Sequence, residues 1–270
     1  MNNFRIGFCF YGQTRLEELI SVYYKSWKNY SNIEIDFFVA TWDDFKNKKI
    51  YNYFKNKKFI KFKDSKLPTD QGNTRKMAFL LKEVNRLKKQ EEEINNFTYD
   101  FIIYTRPDVM LGKKETFKYL KEQLLESKKN DNSIFTLSPI RLNKENYYLD
   151  SDFAFFSTSQ AFDNHSQLYD FFFKNESKLQ QQYTKVEGGH YTHGIIIKEK
   201  IKNIFSISLP SVIIRPKVDI SLLRKHLFNK DIFSILADNK AEWKPATDLG
   251  YDNNYIVSGS TVVNFKEGII

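Results

Sequence analysis

Short apolar runs and amphipathic stretches alternate along the first 105 residues of the chain. The apolar runs have the length of β-strands and lie at 5–11, 33–40, 58–62 and 99–104. Between them, apolar residues recur at helical spacing from Leu16 to Trp27 and from Met77 to Leu87. This order predicts an α/β fold with a doubly wound, mostly parallel central sheet and helices on both faces.

The second half of the chain has a less regular pattern. It predicts a helix near 117–125, strands at 133–137 and 152–157, a helix over 160–174, another helix after Gly189, and strand-like alternation over 204–214. From Ala241 onward no period is clear, and one strand is expected at 260–265.

The composition indicates a folded protein with anionic partners. Hydrophobic residues make up 41% of the chain, and the net charge of +9 suits a nucleotide, a nucleic acid or a membrane surface. No apolar run is long enough to span a membrane, and the start does not resemble a signal peptide. The single cysteine, Cys9, fits a reducing compartment, so we expect a cytoplasmic protein.

Lysines and aromatic residues interleave over 49–63. Such a segment can bind nucleic acid through phosphate attraction and base stacking. The alternative, which we favour, is an amphipathic element with its rings packed inward, because so many large apolar groups would otherwise form an exposed patch. We therefore expect no nucleic-acid partner.

Polar residues follow three of the predicted strands at the point where each strand ends. The carboxyl ends of parallel strands meet at one edge of a sheet, where α/β proteins bind ligands. A helix beginning near Thr14 would present free amides to a diphosphate. The candidate nucleotide-binding residues at this edge are Gly12, Gln13, Arg15, Thr41, Asp43 and Arg106.

Taken in order, these segments resemble a family of bacterial and viral glycosyltransferase-like proteins with a GT-A type nucleotide-sugar fold, associated with capsule or lipopolysaccharide sugars. The resemblance extends over roughly residues 4–201. It rests on Gly12-Gln-Thr-Arg15, Phe38-Val-Ala-Thr-Trp-Asp43, Tyr99-Asp-Phe-Ile-Ile-Tyr-Thr-Arg-Pro-Asp108 and Asp150-Ser-Asp-Phe-Ala-Phe-Phe-Ser157. It implies a catalytic domain over 1–240, with a donor half at about 1–115 and an acceptor half at about 116–240, and a tail over 241–270 packed on that domain.

The resemblance also implies a divalent metal, manganese or magnesium, with Asp108 and His193 as candidate ligands. The segment from Arg106 to Asp108 looks like the counterpart of the family's Asp-x-Asp motif, but an arginine replaces the first acid. An arginine can itself neutralise phosphate charge. Asp108 is expected to lie outside the apolar core and to add little to folding; the alternative is a simple ion pair between Arg106 and Asp108.

The second half adds acids and histidines to the candidate site. Asp152 and Asp150 flank a predicted strand, and inverting sugar transfer needs a carboxylate base, for which Asp152 is the candidate. Glu187 and His190 are candidates for the donor site. His190 and His193 share a helical face, so either could contact diphosphate or metal, although such histidines are often structural.

The sequence thus predicts a glycosyltransferase that moves a sugar from a nucleotide diphosphate-sugar donor to a glycan or lipid-linked acceptor, with peripheral association at the inner face of a membrane. Two other hypotheses stay open: nucleotidyl transfer on a similar fold, and a non-catalytic, basic nucleic-acid-binding protein. The released product separates the two transferases, since one leaves a nucleoside diphosphate and the other pyrophosphate.

Overall fold

A computed structural model describes residues 4–12, 20, 27, 32–42, 58–62, 72–111, 116–120, 122, 131–149, 152–184, 186, 188–207, 211–214, 241–245, 255–258 and 261–265. At 58–62, at 110 and from 211 onward, only the backbone is described.

The described elements are mainly strands in the first half of the chain and a mixture of strands and helices in the second half. The strands are β1 (Phe4–Tyr11), β2 (Ile33–Trp42), β3 (Lys58–Phe62), β4 (Phe101–Thr105), β5 (Val109–Leu111), β6 (Ser133–Thr136), β7 (Ile140–Asn143), β8 (Asn146–Leu149), β9 (Ala154–Ser157), β10 (Asn203–Ser206), β11 (Ser211–Ile214), β12 (Ala241–Pro245), β13 (Tyr255–Ser258) and β14 (Thr261–Phe265). The helices are α1 (Asn73–Asn95), α2 (Ser159–His165), α3 (Leu168–Phe173), α4 (Glu176–Gln182) and α5 (Gly189–Lys200).

A seven-stranded sheet forms the centre of the protein, in the order β10, β6, β9, β4, β1, β2, β3. Neighbouring strands pair in parallel, except that β9 runs antiparallel to both β4 and β6. The predicted doubly wound, mostly parallel sheet is confirmed.

Both faces of this sheet are covered, which explains why its strands are apolar throughout. On one face Phe8 packs edge-on against Trp27, whose ring also contacts Phe117. On the opposite face the neighbouring residue Cys9 belongs to a buried cluster with Leu81 of α1. Successive strand residues point to opposite faces, so an unbroken apolar run requires helices on both.

Two elements of the second half differ from the prediction. The single helix expected over 160–174 is two helices, α2 and α3. The Ser166 hydroxyl between them donates to the Asp163 carbonyl at 2.9 Å and accepts from the Asn85 amide at 2.7 Å. These local bonds compete with continued helix.

The alternation over 204–214 is also not one strand. It forms β10 in the central sheet and β11 in a second sheet. Pro210, which has no N–H to donate, lies between them.

The second sheet is antiparallel, with strand order β12, β14, β13, β11, β5. The strand predicted at 260–265 is confirmed as β14, whereas β12 and β13 were not predicted. A separate hairpin, β7 and β8, packs on α5. The proposed division at residue 240 stays a prediction.

Among the described residues, no helix has both the length and the apolar composition that crossing a membrane requires.

Candidate functional site

The ends of β1, β2 and β4 meet at one edge of the central sheet, as the sequence predicts. Tyr11 pairs with Ala40, and Phe10 pairs with Thr105, both in parallel register. The Gly12 N–H continues the ladder by donating to the Ala40 carbonyl at 3.3 Å. The carboxyl ends of these three strands therefore lie side by side.

A cleft of about 220 Å³ opens at this edge. Its lining comes from the strand ends and from the first turn of α1: Gly12, Trp42, Asn73, Lys76, Met77, Arg106, Pro107 and Asp108. The contribution of α1 was not predicted. The signal available was a lysine in the first turn of a helix that follows a glycine, since helix amino ends attract anions.

Gly12 forms the floor of the cleft with a backbone that favours glycine. Its φ is +129°, a conformation that residues with a Cβ rarely adopt. The Pro107 ring lies beside it, 3.5 Å from where a Cβ would be. Gly12, after β1, and Pro107, after β4, are thus neighbours at this edge of the sheet.

Arg106 and Asp108 form a two-point ion pair across Pro107. The Arg106 Nε lies 3.0 Å from Asp108 Oδ1, and its Nη2 lies 2.6 Å from Oδ2. The Asp108 side chain is 6% exposed and that of Arg106 is 29% exposed. The expectation that Asp108 lies outside the core is therefore wrong: its side chain is buried and paired with the guanidinium.

The charges around Arg106 keep it ionised. Burial alone would lower the pKa of the guanidinium, but the carboxylate of Asp108, followed by that of Asp152, raises it above its usual value. The backbone of Arg106 is also held in place, because its N–H donates to the Phe153 carbonyl at 3.2 Å. Arg106 therefore presents a permanent, fixed positive charge.

Asp152 packs against the start of α5, close enough to Arg106 to act on its charge. A Cβ on Gly189 would lie only 2.1 Å from Asp152 Oδ2, so the carboxylate occupies the space that a larger residue would fill. Asp152 is half-buried. Its charge also raises the pKa of the Tyr11 hydroxyl, second to burial. Asp152 also acts on the Arg106 guanidinium, so the two groups are electrostatic neighbours.

The two histidines of α5 have different surroundings. The Nδ1 atom of His190 is hydrogen-bonded to the Leu149 carbonyl, and its ring stacks on Tyr148. His193 is completely buried. Its Nδ1 lies 2.8 Å from His165 Nε2, and His165 Nδ1 lies 2.6 Å from the Tyr104 hydroxyl. No motif in the sequence pointed to Tyr104 or His165 as members of the site.

Burial keeps both inner histidines neutral. Desolvation lowers the pKa of His193 to about 4, although the Asp152 carboxylate acts in the opposite direction. Burial, followed by the neighbouring His193, lowers the pKa of His165 well below its usual value. At neutral pH both rings are therefore neutral imidazoles, each with one N–H.

The described residues do not fit a divalent cation at Asp108. Both of its oxygens already accept from Arg106. The part of the chain that the structure describes contains no group of three or more acidic, histidine or cysteine side chains arranged to hold a metal. The metal-ligand roles of Asp108 and His193 stay predictions without geometric support.

Several predicted residues lie outside the described part of the chain: Gln13, Arg15, Asp43, Asp150 and Glu187. Thr41 is described and fully buried at the end of β2. The side chains of the lysine and aromatic segment at 49–63 are likewise outside the description, while its predicted strand is confirmed as β3.

No protein-family model matches the sequence, and no curated protein matches it. The solved structures that it resembles include the galactosyltransferase LgtC in complex with donor and acceptor sugar analogues (13% identity, 75% of this chain and 72% of that chain, TM-score 0.41). They also include a CMP:2-keto-3-deoxy-manno-octonic acid synthetase in complex with CTP (12% identity, 87% of this chain and 98% of that chain, TM-score 0.39). A third is the core-mannan synthase A of Aspergillus fumigatus in its Mn/GDP form (10% identity, 78% of this chain and 74% of that chain, TM-score 0.39). Because these scores are below 0.5, each activity remains a property of its own protein.

Proposed function

We propose that this protein is a glycosyltransferase that moves a sugar from a nucleotide diphosphate-sugar donor to an acceptor hydroxyl. The observation that supports this most is the arrangement at the sheet edge: a fixed positive charge, Arg106, lines a cleft, and a carboxylate, Asp152, lies beside it. A departing diphosphate needs a positive charge such as that of Arg106, and an attacking hydroxyl needs a carboxylate such as that of Asp152 to take its proton.

Arg106 would bind the donor diphosphate. A guanidinium has five N–H donors, and the pairing with Asp108 uses donors on two of its nitrogens, so others remain for phosphate oxygens. The first turn of α1 adds backbone amides and Lys76 on the same wall of the cleft. Asp108 would act as the positioning residue that fixes the guanidinium.

Asp152 would act as the base in an inverting transfer. As the acceptor oxygen bonds to the anomeric carbon, the bond from that carbon to the diphosphate oxygen breaks, and the acceptor proton moves to the carboxylate. Arg106 would offset the charge that develops on the departing nucleoside diphosphate. Asp150, two residues earlier in the sequence, remains a second candidate for the base.

A thermal-shift screen against UDP-, GDP-, ADP- and dTDP-sugars, with manganese and with EDTA, tests the proposal. A true donor raises the melting temperature because it binds only the native state. We expect a shift in both buffers, since Arg106 supplies the positive charge at the diphosphate. The shift should be lost in Arg106→Gln, provided that this variant retains the parent's circular dichroism spectrum.

Product analysis then identifies the reaction. Release of a nucleoside diphosphate supports glycosyl transfer, and release of pyrophosphate from a nucleoside triphosphate would replace it with nucleotidyl transfer. No shift with any nucleotide sugar, combined with salt-sensitive binding of an oligonucleotide, would overturn the proposal.

A further inference from the structure

A buried chain of three hydrogen-bonding side chains runs through the core toward Asp152. Its members are Tyr104, His165 and His193, joined at 2.6 Å and 2.8 Å, and we refer to it as the histidine chain. All three side chains are fully buried. The outer nitrogen of His193, Nε2, is also buried and has no hydrogen-bond partner among the described residues.

The position of His193 directs its outer end toward Asp152. Gly189 and His193 are one helical turn apart on α5, and side chains on a helix lean toward its amino end. Gly189 is the residue against which Asp152 packs. Consistent with this, the Asp152 carboxylate is the charge that acts most strongly on the His193 ring.

The protons of the histidine chain can be arranged in two directions. If the Tyr104 hydroxyl donates to His165, then His165 donates to His193, and the His193 proton lies on Nε2. In the reverse arrangement Nε2 carries a lone pair. A lone pair directed at the Asp152 carboxylate is repelled, whereas an N–H is attracted, so the first direction is favoured.

An unpartnered, buried N–H beside a carboxylate requires an explanation, because buried polar groups are nearly always paired. A hydroxyl group satisfies both at once, since it donates its proton to the carboxylate and accepts from the N–H.

We propose that His193 Nε2–H and the Asp152 carboxylate form a hydroxyl-binding subsite at the amino end of α5. The inference rests on the proposed function for the class of ligand, a carbohydrate hydroxyl. His193 holds the acceptor oxygen while Asp152 takes its proton, and the histidine chain keeps the His193 proton on the outer nitrogen.

The first experiment is independent of any reaction. The chain has four histidines, so nitrogen NMR of the full-length protein labelled with ¹⁵N-histidine resolves each ring, and His193→Gln assigns the signals. We expect His193 to be protonated at Nε2. Methyl glucoside, methyl galactoside and methyl mannoside serve as probes, and at least one should shift the Nε2 signal saturably in the parent and not in Asp152→Asn. Protonation at Nδ1, or no saturable shift with any of the three, would overturn the subsite.

A matched pair of variants provides the second experiment. The Gln side-chain nitrogen replaces Nε2 and keeps the outward donor, whereas the Asn side-chain oxygen replaces Nδ1 as the acceptor and keeps only the contact with His165. His193→Asn should therefore lose about tenfold in kcat/KM for the acceptor, the value of one hydrogen bond, and His193→Gln much less. The reverse order would show that the contact with His165 matters and would overturn the subsite. Saturable glycoside binding without any nucleotide-sugar binding would leave the subsite in place and remove the proposed function.

Discussion

Two pairs of buried polar side chains near the sheet edge are held in opposite electrostatic states. Arg106 and Asp108 form an ion pair, and each charge needs the other. His165 and His193 are neutral, because burial without a direct ionic partner lowers the pKa of each ring. The difference shows that neighbouring parts of one fold can hold a charged group through an ion pair and a neutral group through hydrogen bonds between buried rings.

The largest expected effect comes from breaking the ion pair. Arg106→Ala leaves the buried Asp108 charge without a partner, so the free energy of unfolding should fall by about 3–5 kcal/mol. Urea denaturation measures this. Asp108→Ala should cost less, because the Arg106 side chain is more exposed and can reach water. The double variant should be more stable than Arg106→Ala alone; additive losses would contradict the picture of a paired charge.

Two glycines of α5 separate a structural contact from a functional one. A Cβ at Gly194 would lie 2.7 Å from the Tyr147 carbonyl oxygen, so Gly194→Ala must push α5 away from β8 and should cost about 1–3 kcal/mol. A Cβ at Gly189 would meet only the movable Asp152 carboxylate. Gly189→Ala should therefore keep its melting temperature and lose most of its turnover. Equal thermal destabilisation of both variants would refute this distinction.

The neutral histidines predict how stability depends on pH. In the unfolded chain His193 has its ordinary pKa of 6.5, and in the folded protein its pKa is about 4, so the unfolded state binds more protons between these values. The stabilising contribution is present above pH 6.5 and is lost as the pH falls toward 4. Denaturant titrations at pH 7 and pH 5 should differ by about 2 kcal/mol more in the parent than in His193→Gln. Equal differences in the two proteins would mean that His193 is not held neutral.

The smallest effect is expected at an exposed ion pair, which serves as a reference for the buried one. Arg5 and Glu34 lie 3.2 Å apart with side chains 42% and 52% exposed. Glu34→Gln should change the free energy of unfolding by less than about 1 kcal/mol, because water and salt screen the charges. A loss as large as that of Arg106→Ala would mean that burial does not set the strength of these pairs.

The sheet and the edge where its strands end could be predicted from the sequence because both follow from local pattern. Apolar runs and helical spacing are properties of neighbouring residues, and the strands ending at Tyr11, Trp42 and Thr105 were located closely in this way. Arg106 and Asp152 became candidates for the same reason, since they stand beside such runs.

The burial of Asp108 and the histidine chain could not be predicted in the same way. Whether a carboxylate that follows a strand is exposed to solvent or buried depends on the residues that pack around it. Here the turn leads into β5, which pairs with β11, a strand from far along the chain. Tyr104, His165 and His193 come from three separate elements that meet only in the folded core. No spacing in the sequence connects them.

The pairing of β5 with β11 has a consequence for the order of assembly. The turn that contains Arg106 and Asp108 is bounded by β4, whose parallel partner β1 lies among the earliest residues, and by β5, whose partner begins at Ser211. During synthesis the first boundary can form early, but the second must wait until most of the chain has left the ribosome. The turn that carries Arg106 and Asp108 is thus among the last parts of the protein to mature, and a chain interrupted before Ser211 would hold the sheet without a finished cleft.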